Sequence, residues 1–331
     1  MKRFTGLVML IALLFGCNES ILFEDAVTEP ALKSVAVKVV VPDDFTTVQM
    51  AVDNAPDGAT ILIKEGVYAE LVNIHYRNDL TIIGQNAVLC PPEGIVYGEG
   101  YFNLDILESS NITVKNLKFD GKLNNETTYP IDRAIAVTNS SGNLTNNKFK
   151  GYGLAIACYN IDLEDMIDAA PENDLKKIYI FSNKFSDCYG QIGVMGNYEM
   201  EISHNIINYV LNQDRLCDHW FPFWRGIEIE GGTGSISKNL IKFKNGSEFL
   251  VESEGIRLMK TNPVCGNDIY SLRDMVVSNN TINGTDVGIN VNDSFYPDWT
   301  VEGLQLLNNR FVNVSEMYRI SNGDVPVEVL P

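Results

Sequence analysis

The chain has 331 residues, with 25 Lys and Arg against 43 Asp and Glu, a formal net charge of −18. That balance argues against a nucleic-acid partner, because phosphate binding needs Lys and Arg gathered on one face. With 45% hydrophobic and 21% charged residues the composition is globular rather than disordered. A folded part of about 300 residues sits at the upper limit of a single compact core, so two domains or a repeat architecture is expected.

In chain order, Lys2 and Arg3 precede an apolar run from Leu7 to Phe15 that is too short to span a bilayer as a helix. The run ends Leu14-Phe15-Gly16-Cys17, which resembles the lipobox of bacterial lipoproteins. That resemblance implies residues 1–16 as a signal peptide, cleavage before Cys17, acylation of Cys17 and residues 17–37 as a tether to a membrane surface. An ordinary secretory signal with a chance cysteine is the alternative. The acidic start of the tether, Asn18-Glu19 and then Glu24-Asp25, resembles surface-export signals of gut Bacteroidetes lipoproteins, which implies an outer-membrane or cell-surface location. What remains after cleavage carries a charge near −20. Cys90, Cys158, Cys188, Cys217 and Cys265 are odd in number and lack any Cys-x-x-Cys, so free buried thiols are expected rather than disulfides or zinc.

The folded region, 38–331, opens with helix-spaced apolar residues Phe45, Val48, Val52 and Ala55, preceded by Asp or Thr caps and stopped by Pro56-Asp57-Gly58. Thr60-Ile61-Leu62-Ile63 then reads as a strand. Beyond it one unit recurs: Asn-x-Phe or Asn-x-Ile, at Asn147, Asn183, Asn205, Asn239, Asn280 and Asn309, with a relaxed form at Lys115-Asn116-Leu117-Lys118-Phe119. A second unit, apolar-x-apolar, alternates with it at Ile135, Ile156, Ile192, Ile227, Ile256 and Ile289. The uninterrupted steps are 12 or 13 residues and 9 residues, a rung of about 21. Short strands and turns at that period predict a parallel β-helix whose rungs bury alternate side chains and stack their asparagines along the axis. Crossover helices are excluded, since a 9-residue connection cannot hold one.

Val41-Pro42-Asp43-Asp44-Phe45 through Gly66-Val67-Tyr68-Ala69-Glu70 resembles the opening of the pectin-lyase-like family. The resemblance implies an all-β, single-stranded right-handed parallel β-helix of about nine rungs with a short N-terminal capping helix. The family includes lyases, hydrolases, esterases, epimerases and non-catalytic binders, so it implies fold more than activity.

Insertions border one strand of each rung, at 121–131, 211–224 and 244–252 before it and 160–176, 261–272 and 293–300 after it. That strand should floor a loop-walled groove. Its outward positions are Ala136, Ala157, Gly193, Glu228, Arg257, Asn290 and Arg319, and the next row reads Thr138, Tyr159, Met195, Glu230, Met259, Asn292 and Ser321. Glu228, Arg257 and Lys260 are candidate catalytic groups, and Glu228, Glu230 and Asp293 are candidate ligands for calcium. An exposed Glu228–Arg257 ion pair is the purely structural alternative. Trp220, Trp224 and His219 in the 214–225 loop, with Tyr159, Asn290, Asn292 and Trp299, are candidate sugar contacts. Packing of those aromatics onto the solenoid is equally open. His75 and His204, inside strand patterns, are expected to be structural.

Residue by residue the resemblance narrows. Gly255-Ile256-Arg257-Leu258-Met259-Lys260 resembles the Arg-Ile-Lys motif of polygalacturonases with one residue too many, and their aspartate pair is missing. Gly151-Tyr152-Gly153-Leu154 departs from the Gly-Tyr-Gln-Asp of pectin methylesterases. The resulting expectation is a monomeric, lipid-anchored envelope protein that binds polysaccharide, with calcium-dependent lyase chemistry or a non-catalytic adhesin role as alternatives. An acidic glycan would be repelled by a surface near −20 unless calcium bridges the two.

Overall fold

The computed structural model describes residues 37–95, 102–122, 131–160, 175–188, 190–210, 223–244, 252–259, 272–292, 301–320 and 328–330. Strand after strand is short because each rung must turn three times. One rung shows the plan: Thr60–Ile63, Gly66–Ala69 and Val72–His75 each belong to a different sheet, Thr60–Ile63 pairing with Lys38–Val41 before it and Thr81–Gly84 after it. Among the described residues sheet 1 has twelve strands, and sheets 2 and 3 have nine each. Every strand pairing is parallel, so the chain is a parallel β-helix whose hydrogen bonds run along its axis.

Alternation puts apolar columns of each sheet inside. Ile61, Ile82, Val114, Leu144, Ile180, Ile202 and Ile236 fill sheet 1, and Phe119, Phe149, Phe185, Ile207, Ile241 and Ile282 fill sheet 2. The three phenylalanines stack at centroid spacings of 5.0 and 4.9 Å with planes 12° and 13° apart. Cys90, Cys158 and Cys188 are buried free thiols, and burial pushes the Cys90 thiol up to about 11. Cys217 and Cys265 lie outside the described residues.

The turn from sheet 1 to sheet 2 repeats in every rung. Asn116, Asn146, Ser182, His204, Lys238, Asn279 and Asn308 occupy it with φ between 52° and 61°, a left-handed conformation that asparagine tolerates better than most residues. His204 is thus an exposed turn residue, not a strand residue as its sequence context suggests. The residue that follows points inward. Asn147, Asn183, Asn205, Asn239, Asn280 and Asn309 form a ladder in which each Oδ1 accepts the backbone N–H one rung earlier, at 2.9–3.1 Å. Their Nδ2 groups donate to strand carbonyls of that earlier rung, for example Asn239 to Ile202 at 2.8 Å.

The helix Val48–Asn54 covers the first rung and buries Val48, Ala51 and Val52. Thr47 caps it through Met50 N–H at 3.1 Å, and the Glu70 carboxylate accepts the N–H groups of Val48 and Gln49 at 3.1 Å. Arg77 donates to the carbonyls of Val52 and Ala55 at the other end. An anion at the N-terminus and a cation at the C-terminus complement the helix dipole and fix the helix over an otherwise open sheet edge.

Candidate functional site

The strand register of sheet 3 stacks the expected floor as written: Ala136, Ala157, Gly193, Glu228, Arg257, Asn290 and Arg319 are successive partners. Asp105 and Asn73 extend the column towards the helix. The second row, Thr138 to Asn292, is likewise in register. Most of the bordering insertions lie outside the described residues, as do Trp220, His219, Lys260, Asp293, Trp299 and Cys17.

Charge gathers where strands Phe223–Glu230 and Glu252–Met259 lie side by side. The expected Glu228–Arg257 pair does not form. Glu228 pairs with Arg225 of its own strand, and Arg257 approaches Glu254 of its own strand at 3.6 Å. Each contact joins residues three apart in one strand, across Gly226 or Gly255, rather than partners in adjacent rungs. Glycine is required there: a Cβ on Gly255 would lie 2.6 Å from the Gly288 carbonyl oxygen. Arg225 also approaches Glu254 at 3.7 Å, and Asn290 donates to Glu254 Oε1 at 2.8 Å.

Glu254 is the centre that the sequence reading missed. It is 2% exposed, Arg257 9% and Asn290 1%, so this is a buried polar network rather than a solvated ion pair. Buried atoms within it lack a hydrogen-bond partner among the described residues: Glu254 Oε2, Arg257 Nε and Asn290 Oδ1. Glu254 Oε2 instead has the Arg225 and Arg257 guanidiniums at 3.7 and 3.6 Å, beyond hydrogen-bond distance.

Glu230 follows Glu228 by two residues and stands between Met195 and Met259 in its column. Burial, aided by the charge of Glu228, pushes its carboxyl up to about 7. A raised native value means that the folded protein binds more protons than the unfolded chain between pH ~4.5 and ~7, so stability falls as pH rises through that window. Glu230→Gln should abolish this slope. We expect its stability relative to the native protein to improve by on the order of 2 kcal/mol between pH ~4.5 and pH 8, measured by urea unfolding. Parallel curves for the two proteins across that range would show that Glu230 is ionised throughout.

Of the expected sugar contacts, Trp224 is corrected outright. It is 2% exposed and packs inside, stacked with Tyr209 at 5.3 Å and tilted against Phe243 at 4.9 Å, so neither ring face is open to a ligand. Tyr159 is half-buried with the Arg133 guanidinium 5.5 Å from its ring centre, and Phe102 faces the same guanidinium at 5.4 Å. Asn290 is committed through Nδ2 to Glu254. Neither Glu228, which is paired to Arg225, nor Glu230, which favours its neutral form, offers a hard cation an uncommitted carboxylate. Among the described residues no three His, Cys, Asp or Glu side chains converge as a metal set. At the other end of the same face His75 Nε2 lies 2.9 Å from Asp105 Oδ2, a partly exposed pair that sequence alone did not mark.

No family model and no curated protein matches the chain. Solved structures do. A pectin methylesterase from carrot aligns over 89% of this chain and 88% of its own, with a TM-score of 0.57 and 14% identity. The pectin methylesterase PemA of Erwinia chrysanthemi gives 0.46 and 14% over 89% and 92%, and an alginate lyase of Paenibacillus gives 0.44 and 13% over 82% and 94%. The chain is a right-handed parallel β-helix. At such identities the likeness is one of fold, and activity has to be argued from the site.

Proposed function

We propose that the outer face of sheet 3 binds polysaccharide, in an envelope protein anchored through acylated Cys17 and held off the membrane by residues 18–37. The observation that carries this reading is the charged patch on that face, where the partly exposed Arg225 and Glu228 pair beside the buried Glu254, Arg257 and Asn290. Sugar hydroxyls donate and accept at once, so a polyhydroxylated ligand suits interleaved donors and acceptors better than an anion or a cation alone.

A second reading keeps catalysis open: elimination on a uronate-containing glycan, with Arg257 or Lys260 as base. Its support is the placement of two arginines beside three carboxylates on one face. Of the candidate calcium ligands, Asp293 lies outside the described residues.

The test is a panel of neutral and acidic polysaccharides, with and without calcium, read by calorimetry, ultraviolet absorbance of unsaturated product and new reducing ends. Binding without turnover that weakens at least tenfold in Glu228→Gln is expected. Unsaturated product lost in Arg257→Ala would establish the lyase instead, and silence across the panel would sink both. Anchoring has its own check: Cys17→Ser should move the protein from the detergent phase into the aqueous phase.

A further inference from the structure

Sheet 2 carries a charge pattern at odds with the rest of this acidic chain. Lys118, Lys148 and Lys184 are direct register partners in successive rungs. The phenylalanines that follow them point inward, so the three lysines stand on the outer face, one above another at the strand spacing of about 4.8 Å. Lys148 and Lys184 are exposed and Lys118 is partly so. None of the three forms an ion pair with a described carboxylate. Elsewhere the solenoid matches stacked charges: Lys150 lies over Asp120 at 3.6 Å and Lys177 pairs with Glu199 across rungs at 2.7 Å. Like charges placed directly opposite one another destabilise a sheet, so an unbroken column of three is a cost that packing does not require.

We propose that this lysine column is a binding site for a linear acidic polysaccharide lying along the helix axis, with negative groups of successive sugars meeting successive lysines. The proposal does not rest on the sheet 3 reading, since the two faces belong to different sheets. The shape of the patch selects a polymer. It is one residue wide, with Asp120 in the adjacent outward column, and a planar anionic membrane would press acidic surface against its headgroups. Single-stranded nucleic acid needs aromatic platforms for its bases. Among the described outward positions beside the column the aromatic is His204, tilted against exposed Phe181 at 4.9 Å, and it stands past the last lysine, so no successive platforms line the column. The column also removes the need for calcium to reconcile an acidic protein with an acidic glycan.

The experiment measures binding of full-length protein to polygalacturonate, with dextran as the uncharged control, at low and raised salt. The native protein should bind polygalacturonate, more weakly as salt rises, and should ignore dextran on this face. Lys118→Gln/Lys148→Gln/Lys184→Gln should lose at least tenfold in affinity while its melting temperature stays level or rises. The charge-matched variant Lys38→Gln/Lys64→Gln/Lys177→Gln should lose less than twofold. Unchanged affinity in the ladder variant overturns the proposal. If Glu228→Gln alone then lowers binding, the sheet 3 reading stands without it. Binding of phosphatidylglycerol vesicles or single-stranded DNA through the same lysines, with polygalacturonate ignored, would also overturn it and name the true polyanion.

Discussion

Asn239→Ala is expected to destabilise the protein by about 3–5 kcal/mol, because a buried donor or acceptor left unpaired costs ~1–3 kcal/mol and this change orphans several. The Asn239 Oδ1 accepts both the backbone N–H and the Nδ2 of Asn205, each at 3.0 Å, and its Nδ2 donates to the Ile202 carbonyl and to Asn280 Oδ1. Asn205, Asn239 and Asn280 are at most 1% exposed, so water cannot replace the missing partners. Asn239→Asp keeps the acceptors, removes the donor and adds a charge in a dry interior. It should be at least as damaging at neutral pH and partly relieved in acid, where the protonated carboxyl regains one donor. Urea unfolding at pH 5 and 8 reads both effects, and a loss below about 1 kcal/mol in the alanine variant would show that the ladder is redundant.

Phe149→Ala should cost a similar amount by a different route. Its ring is 1% exposed and lies between Phe119 and Phe185, so truncation leaves a cavity with two rigid ring faces that cannot both close on it. Large aromatic truncations of this kind cost about 3–5 kcal/mol, and two offset stacks are worth roughly 0.5–1.5 kcal/mol each beyond area. Phe149→Leu should recover most of the loss. Rungs of a solenoid touch only their neighbours, so amide exchange should accelerate first around residues 119–185 and last in the strand Glu252–Met259. Uniform acceleration along the whole chain would mean that the solenoid unfolds as one unit.

The recurrence of asparagine before an aromatic or β-branched residue made the fold legible, because one physical requirement generates it. Each rung needs a left-handed turn residue, then an inward amide to satisfy backbone groups, then an inward apolar side chain. The outward columns of sheet 3 followed from the same alternation, down to Glu228 over Arg257 over Asn290. Partner choice within the site did not follow. Arg225 meets Glu228, and Glu254 meets Arg257, three residues apart across a glycine, a spacing that a two-residue period does not mark. Trp224 misled for a related reason. Its place in an aromatic-rich segment suggested a surface role, whereas it is already inside the strand Phe223–Glu230, with its ring in the core. His75 and Asp105 come together across rungs 30 residues apart, a diagonal contact that becomes visible only when strands are set side by side.

The direction of the inter-rung hydrogen bonds has a mechanical consequence. Because they all lie along the axis, tension applied along that axis loads them end-on, and the outermost rung carries the load before the next one feels it. A pull on either end should therefore peel the solenoid open one coil at a time at modest, sawtooth-like forces. A sideways load, shared by many bonds in shear, should be resisted far better.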